Sequence, residues 1–464
     1  MAARADDDGI HGARGADRML IAILVGVVVG GVYTLSPMAV WFVIGGTVLL
    51  RIAMRGLTPR EQRWIAALIV AAMAIRVAMV AVLFLFGSPD RIYVPFNVFF
   101  GDEQYMIVRA LRLRAVFLGL PMRIDAFSDA FEVYGRTSYL NVLALLQLIV
   151  GPAPYGVHLF NILLYVAGGI VLHRIVRYAY GPLPALGSLA LLLFLPSMLL
   201  WSTAALKESF NFLIVVSTLG AAIVAVRAPA RWRPIGALGV VIGLAVLQTL
   251  RDGALAIAIV GLAAGLVGAF VMQTPRRFVV AAILAIVTCG VALRSSRVEG
   301  AAMEVVRSAA GKHMGHAYTR GHSYELLPKV YYGRRALRDM THADAAYFIG
   351  RGIASMVMFP APGQARSRSE LLYIPEQLMW YVVVCTAAIG FIAGLRRDTL
   401  VTCLLAIYAA VALVAVGVNS GNMGTLVRHR TFALPYLGAL SAFGVAVLLA
   451  RYGSSKQGRY AIDR

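Results

Sequence analysis

Apolar runs of about 17 to 25 residues recur along almost the whole chain, each long enough to cross about 30 Å of hydrocarbon as a helix. The pattern predicts twelve spans: Met19–Tyr33, Met38–Met54, Trp64–Phe86, Tyr155–Val176, Leu183–Leu200, Leu206–Val226, Ile235–Leu250, Ala254–Met272, Phe278–Leu293, Glu376–Leu395, Leu400–Val418 and Phe432–Ala450. A thirteenth run, Tyr139–Val150, has about a dozen residues, which suits an interfacial or re-entrant segment better than a crossing. The expected fold class is an all-α polytopic transmembrane bundle.

Lys and Arg in the short connections give that bundle an orientation, because short cytoplasmic loops are enriched in them. If Tyr139–Val150 does not cross and the N-terminus is inside, "RIAMRGLTPREQR", "HRIVRY", "RAPARWRP", "TPRR", "GLRRD" and the tail "RYGSSKQGR" all face the cytoplasm. If it does cross, every later basic loop faces outward. The predicted organisation is a cytoplasmic tail over 1–18, three spans over 19–86, an outer loop over 87–154, and six spans over 155–293. A second outer loop over 294–375, three spans over 376–450 and a cytoplasmic tail over 451–464 complete it. That loop is basic, carries His313, His316, His322 and His342, and contains the helix-like "THADAAYFIGRGIASMVMF". The expectation is a folded loop packed on the membrane.

Composition closes off the soluble alternative. The chain is 60% hydrophobic and 14% charged, with a mean hydropathy of +0.78, whereas a soluble domain carries roughly a quarter of its residues charged. Cys289, Cys385 and Cys403 all fall inside apolar runs and read as small core residues. The polar, mixed-charge N-terminus lacks the features of a cleaved signal peptide. The four histidines of the second loop have neither HExxH nor any other dense metal-ligand spacing, no Walker loop or GxSxG is present, and no nucleic-acid partner is indicated.

With this orientation, four separated stretches bring charge to the outer surface: Asp102/Glu103, Lys207/Glu208, Arg251/Asp252, and Arg428, His429 and Arg430. Each also has a plain structural reading. Asp102 could cap a helix in which Asp102, Tyr105, Arg109 and Arg112 share a face beside an apolar stripe of Met106, Ala110, Leu113 and Phe117. Lys207/Glu208 could be an interfacial ion pair, and Arg251/Asp252 could be snorkelling turn residues. Arg76, near mid-span, is either functional or buried against a neighbouring helix.

"GDEQYMIVRAL", "GRTSYLNVLALLQLIVGPAPYGVHLFNILLY", "FLPSMLLWSTAALKES", "LRDGAL" and "RHRTFALPYLGALSAFGV" resemble, in this order, the bacterial integral-membrane glycosyltransferases of the GT-C class. The likeness covers roughly Phe99 to Val445. It implies a sugar transferase with a polyprenyl-phosphate-linked donor, a glycan or lipid acceptor and surrounding membrane lipids as partners. By position it also implies Asp102 as catalytic base, with Glu103 assisting or holding Mg²⁺ or Mn²⁺. Lys207, Glu208, Arg251, Arg428, His429, Arg430 and Tyr105 would then bind donor phosphate or sugar. One departure is the three spans before the acidic loop, where a typical member has one. The chemistry is consistent from below: the acceptor hydroxyl needs a base, and the departing phosphate gains charge that fixed cations stabilise in a poorly hydrated cleft. Two rivals are a polymerase or ligase of lipid-linked oligosaccharides, motivated by the basic second loop, and a transporter or flippase for a lipid-linked anion.

Overall fold

The computed structural model of the chain describes residues 19, 22–33, 36–86, 98–132, 137–152, 155–292, 294–318, 324–332, 336–359, 361, 363 and 368–462. Helix accounts for 86% of it, and no strand occurs among the described residues. In hydrocarbon only a helix satisfies every backbone N–H and C=O within one segment.

Nine helices of 18 to 28 residues among the described residues are long and apolar enough to cross a bilayer: Pro37–Met54, Pro59–Phe86, Gly156–Tyr180, Glu208–Arg227, Ala230–Leu250, Ala254–Val271, Leu371–Arg397, Thr399–Asn419 and Leu434–Tyr452. The expected span Leu183–Leu200 is two helices, Pro182–Phe194 and Pro196–Thr203, bent by 63°. The break falls just before Pro196, whose ring prevents a continuous hydrogen-bond ladder. Counting that pair as one span gives ten. The expected first span is represented by a shorter apolar helix, Ala22–Tyr33. The expected ninth coincides with the helix Pro275–Ala292, which is not among the nine. Tyr139–Val150 is the helix Ser138–Val150, again too short to count.

The described residues fall into two compact units. The first takes its residues from Met1–Arg55, Met73–Leu164 and Thr203–Leu206, and the second from Gly56–Ala72, Tyr165–Ser202 and Lys207–Arg464.

In the first unit the helix Gly101–Phe117 packs on Ser138–Val150. Met106, Ala110 and Leu113 are buried as the apolar stripe requires, while Phe117 at its end is exposed. The polar face behaves differently from an open interfacial surface. Arg109 is fully buried: its Nε donates to the Asp129 carbonyl at 3.0 Å, one terminal nitrogen donates to the Tyr105 hydroxyl at 2.6 Å, and the other donates to the Glu132 carbonyl. Arg112 pairs with Asp129, so the segment carrying the helix Ile124–Ala130 covers this face. Arg76 is fully buried too.

In the second unit, helices approach closely where glycine removes the side chain, as expected where packing rather than the hydrophobic effect joins membrane helices. Gly261 and Gly265 of Ala254–Val271 lie against Tyr408 and Leu404 of Thr399–Asn419. The helices Arg368–Arg397 and Leu434–Ile462 meet at two glycines: a Cβ on Gly390 would lie 1.9 Å from the Leu440 carbonyl oxygen, and one on Gly444 would lie 2.0 Å from that of Thr386. Ion pairs and hydrogen bonds tie helix ends together. Arg177 holds Glu61 through two contacts of 2.8 and 3.2 Å, Arg227 holds Asp398 at 2.5 and 2.8 Å, and the hydroxyls of Tyr180 and Thr402 are 2.8 Å apart.

Between the helices Pro275–Ala292 and Arg368–Arg397, part of the segment expected as a loop over 294–375 folds on itself. The helices Ser296–Ala317 and His342–Met358 enclose an apolar cluster that includes Met303, Ala310, Leu326, Leu327 and Phe348. Thr341 and Asp344 close a reciprocal capping box at the start of the second helix.

Because the clash at Gly444 is with backbone, it cannot be relieved by a rotamer change. Gly444→Val is expected to destabilise the bundle by about 1–3 kcal/mol or more, read as a lower Tm of the purified chain in detergent, whereas Gly290→Ala, where nothing stands in the way, is expected to leave Tm unchanged.

Candidate functional site

Three of the four charged stretches converge in the second unit, on Glu208. The turn that leads into the helix Glu208–Arg227 sets this carboxylate in the interior, with 4% of its side chain exposed. Arg428 Nε donates to Glu208 Oε1 at 2.8 Å, and an Arg251 terminal nitrogen lies 3.5 Å from the same oxygen. Two residues far apart in the chain thus neutralise one acid. A buried carboxylate needs such partners, since an unpaired charge in a poorly polarisable interior is strongly disfavoured.

Aromatic rings support both guanidinium groups. Arg428 lies over the Trp201 ring at 5.4 Å and Arg251 over Phe432 at 4.5 Å, the geometry of cation–π attraction. A second Arg251 terminal nitrogen is 2.7 Å from His429 Nε2. Because a guanidinium only donates, Nε2 must accept, which fixes His429 as the neutral Nδ1–H tautomer. Burial, and then the cations Arg251 and Arg428, hold its pKa well below the usual histidine value, in agreement with that assignment. His316 stands next to it, ring centroids 6.4 Å apart, anchored by Nδ1–H to the Asn419 carbonyl at 2.7 Å.

Lys207 precedes Glu208 and is half-buried. Burial, followed by the nearby Arg251, lowers its ammonium to about 8. Burial likewise lowers Arg251, which stays charged at neutral pH. Three cations, Lys207, Arg251 and Arg428, therefore surround one buried carboxylate, with Asp252 exposed close by in sequence. The cations outnumber the acids, and Arg251 and Arg428 keep 23% and 16% of their side-chain surface exposed. That arrangement suits an incoming phosphate, whose oxygens accept charge-assisted hydrogen bonds.

Beneath the cluster, Glu208 Oε2 is buried without a hydrogen-bond partner among the described residues. Glu208 also lines a cavity of about 10 Å³ with Tyr165, Ser202, Ser209 and Thr431. That volume holds about one water and no sugar; any larger ligand meets the cluster from its exposed edge.

Arg430 does something else. Its guanidinium is buried and donates to the Met356 carbonyl at 3.1 Å, to Gln377 Oε1 at 2.7 Å and to the Phe359 carbonyl, over the Trp380 ring. Burial lowers it to about 10. It fastens the C-terminal end of the helix His342–Met358 to the helix carrying Gln377, and all three nitrogens are engaged there.

The acidic pair lies in the first unit. The helix begins at Gly101 with Phe100 in the cap position and no side-chain cap, so Asp102 is a first-turn residue rather than the cap, favoured there by the helix dipole. Asp102 is exposed and Glu103 fully buried. Glu103 Oε2 is 3.1 Å from His158 Nε2 and accepts from the Phe99 N–H at 3.3 Å, with the His158 ring edge-on to Phe84 and Phe99. The sequence reading missed His158; its signal was a lone histidine in the first turn of an apolar span. One carboxylate is exposed and the other sealed on an imidazole, so the pair does not fit a shared Mg²⁺ or Mn²⁺ site. Among the described residues no three His, Cys, Asp or Glu side chains are grouped to hold a metal ion. Tyr105, expected at the donor, accepts from Arg109 at 2.6 Å, with the guanidinium over its ring. In the second loop, His313 donates to the Ser420 carbonyl at 2.6 Å, His342 meets Glu299 at 2.5 Å, and His322 lies outside the described residues.

No family model matches the chain, and no curated protein and no solved structure matches it either.

Removing Arg428 leaves Glu208 buried with only the longer Arg251 contact. Arg428→Ala is expected to cost about 3 kcal/mol, seen as a lower Tm, and adding Glu208→Gln to it is expected to recover part of that loss. An unchanged Tm in Arg428→Ala would show that Glu208 does not depend on its arginines.

Proposed function

We propose that this chain is a membrane glycosyltransferase that moves a sugar from a polyprenyl-phosphate-linked donor to a glycan or lipid acceptor on the extracytoplasmic face. The observation that carries the reading is the convergence of Lys207, Arg251 and Arg428 around the buried Glu208. A lipid-linked phosphate needs a cationic centre at a membrane surface; this cluster lies at helix ends, as such a centre must. As the sugar–phosphate bond breaks, negative charge accumulates on the leaving phosphate, and pre-oriented guanidinium and ammonium groups stabilise it more in a poorly hydrated site than water would. Asp102, exposed at the start of its helix, is the carboxylate assigned to take the acceptor proton in an inverting displacement.

The same reading includes twelve spans with both termini in the cytoplasm, and the contacts at helix ends support it by parity. Glu61 and Arg177 share one end of the bundle, as do Tyr180 and Thr402 and Arg227 and Asp398. Glu208, Arg251 and Arg428 share an end, and the helix Glu208–Arg227 separates it from the end of Arg227. Pairing of Glu61 with Arg177 needs an even number of crossings between them, which Pro59–Phe86 and Gly156–Tyr180 supply if Ser138–Val150 does not cross. Pairing of Arg227 with Asp398 likewise needs Pro275–Ala292 to cross, and Tyr180 with Thr402 needs the bent Pro182–Thr203 segment to cross. Ala22–Tyr33 then makes twelve. Lys and Arg concentrate at the Arg177 and Asp398 end, which supports a cytoplasmic side there in the proposed bacterial inner-membrane setting.

One observation favours a second reading, an oligosaccharide polymerase or ligase: His316 of the second outer loop stands against His429 of the cluster.

In a membrane assay with a panel of polyprenyl-phosphate sugars, wild type is expected to transfer one of them. Asp102→Asn is expected to lose transfer by at least about 10²-fold, the usual scale of a general base, with normal insertion. Full turnover by Asp102→Asn, together with loss on His316→Ala, would favour the polymerase or ligase.

A further inference from the structure

A groove of about 560 Å³ opens between the helices Arg368–Arg397 and Leu434–Ile462 at the end opposite the Glu208 cluster. Its wall is apolar, formed by Ile389, Ile392, Phe443 and Val447, and its mouth carries Arg396, Arg397 and Arg451. The floor is firm, because Phe443 is buried and stacks on Tyr180 with ring centroids 4.4 Å apart and planes 8° from parallel.

We propose that this groove is a binding site for an anionic two-chain phospholipid, with an acyl chain along the apolar wall and the headgroup phosphate held by the three arginines.

The charge balance points to that occupant. Asp398, the acid next in the chain to Arg396 and Arg397, is held by both terminal nitrogens of Arg227 at 2.5 and 2.8 Å and also caps the following helix through the Val401 N–H. Its charge is committed there. Arg396 and Arg397 are exposed and adjacent in the chain, so two cations crowd the mouth beside Arg451, and an anion relieves their mutual repulsion. A free phosphate would satisfy the arginines but leave the apolar wall bare. A zwitterionic lipid would fill the wall but bring its own cation to the arginines. Only an anionic lipid answers both halves of the groove, in the way that basic pockets between membrane helices hold acidic headgroups. The volume suits a chain segment and the glycerol phosphate. The site is separate from the Glu208 cluster and does not depend on the transferase reading.

Native mass spectrometry of the purified full-length chain can test this with phosphatidylglycerol, phosphatidylcholine of the same acyl chains, and inorganic phosphate as probes. Wild type is expected to retain phosphatidylglycerol at least about fivefold more strongly than phosphatidylcholine, and Arg396→Gln and Arg397→Gln are each expected to weaken it about fivefold. Ile392→Trp, which fills the wall without touching the charges, is expected to reduce retention as well. Inorganic phosphate is expected not to displace the lipid. Equal retention of the two lipids, unchanged retention in the Arg396→Gln/Arg397→Gln double variant, or displacement by phosphate at lipid-like concentrations would overturn the proposal.

Discussion

Everything at the candidate site depends on one buried carboxylate. Glu208 sits in the interior at the start of a membrane span, and an acid there is tolerable only with cations beside it. Arg428 and Arg251 supply them, so the helix start, the turn after Leu250 and the short helix Met423–Arg430 are drawn to one point. Trp201 and Phe432 fix the planes of the two guanidinium groups. His429, neutral and accepting from Arg251, uses one arginine donor without adding charge. The outcome is a rigid group of cations whose remaining surface is turned to whatever approaches. Rigid cations cost little reorganisation when a phosphate departs, which is why the cluster suits transfer chemistry.

A second constraint acts at the other ends of the helices. Glu61 with Arg177 and Asp398 with Arg227 join helix ends there, and each couples two basic connections to one acid. Arg396, Arg397 and Arg451 at that end belong to the basic connections on which the proposed orientation rests, and line the groove that we assign to an acidic lipid.

The sequence carried most of the fold, because period and length of apolar runs are the dominant signal for membrane helices. Nine of the expected spans correspond to single long apolar helices, for example Trp64–Phe86 within Pro59–Phe86. The break before Pro196 was legible as a proline but not as a bend of 63°, since bending depends on neighbours. At the site, Lys207, Glu208, Arg251, Arg428 and His429 were legible because charges at apolar-run ends are rare. The roles were less so. Arg430 adjoins His429 yet points into carbonyls of another helix, and Glu103 adjoins Asp102 yet is sealed on His158. Successive residues on a helix are turned about 100° apart, so adjacency says little about shared surroundings. His158 was passed over because a single histidine in an apolar run has no local pattern, and its partner is 55 positions away.

The central claim, that the cations around Glu208 hold a lipid-linked phosphate, is tested most directly by the pH dependence of polyprenyl-phosphate binding to the purified chain. The ammonium of Lys207, lowered by burial and by Arg251 to about 8, is charged below that value and neutral above it, while the phosphate itself, with a second pKa near 6, no longer titrates there. Binding should fall as pH rises through about 8, and in Lys207→Arg, whose guanidinium does not deprotonate, the fall should disappear. Binding that is flat across this range in the wild type, or that falls identically in Lys207→Arg, would contradict the account.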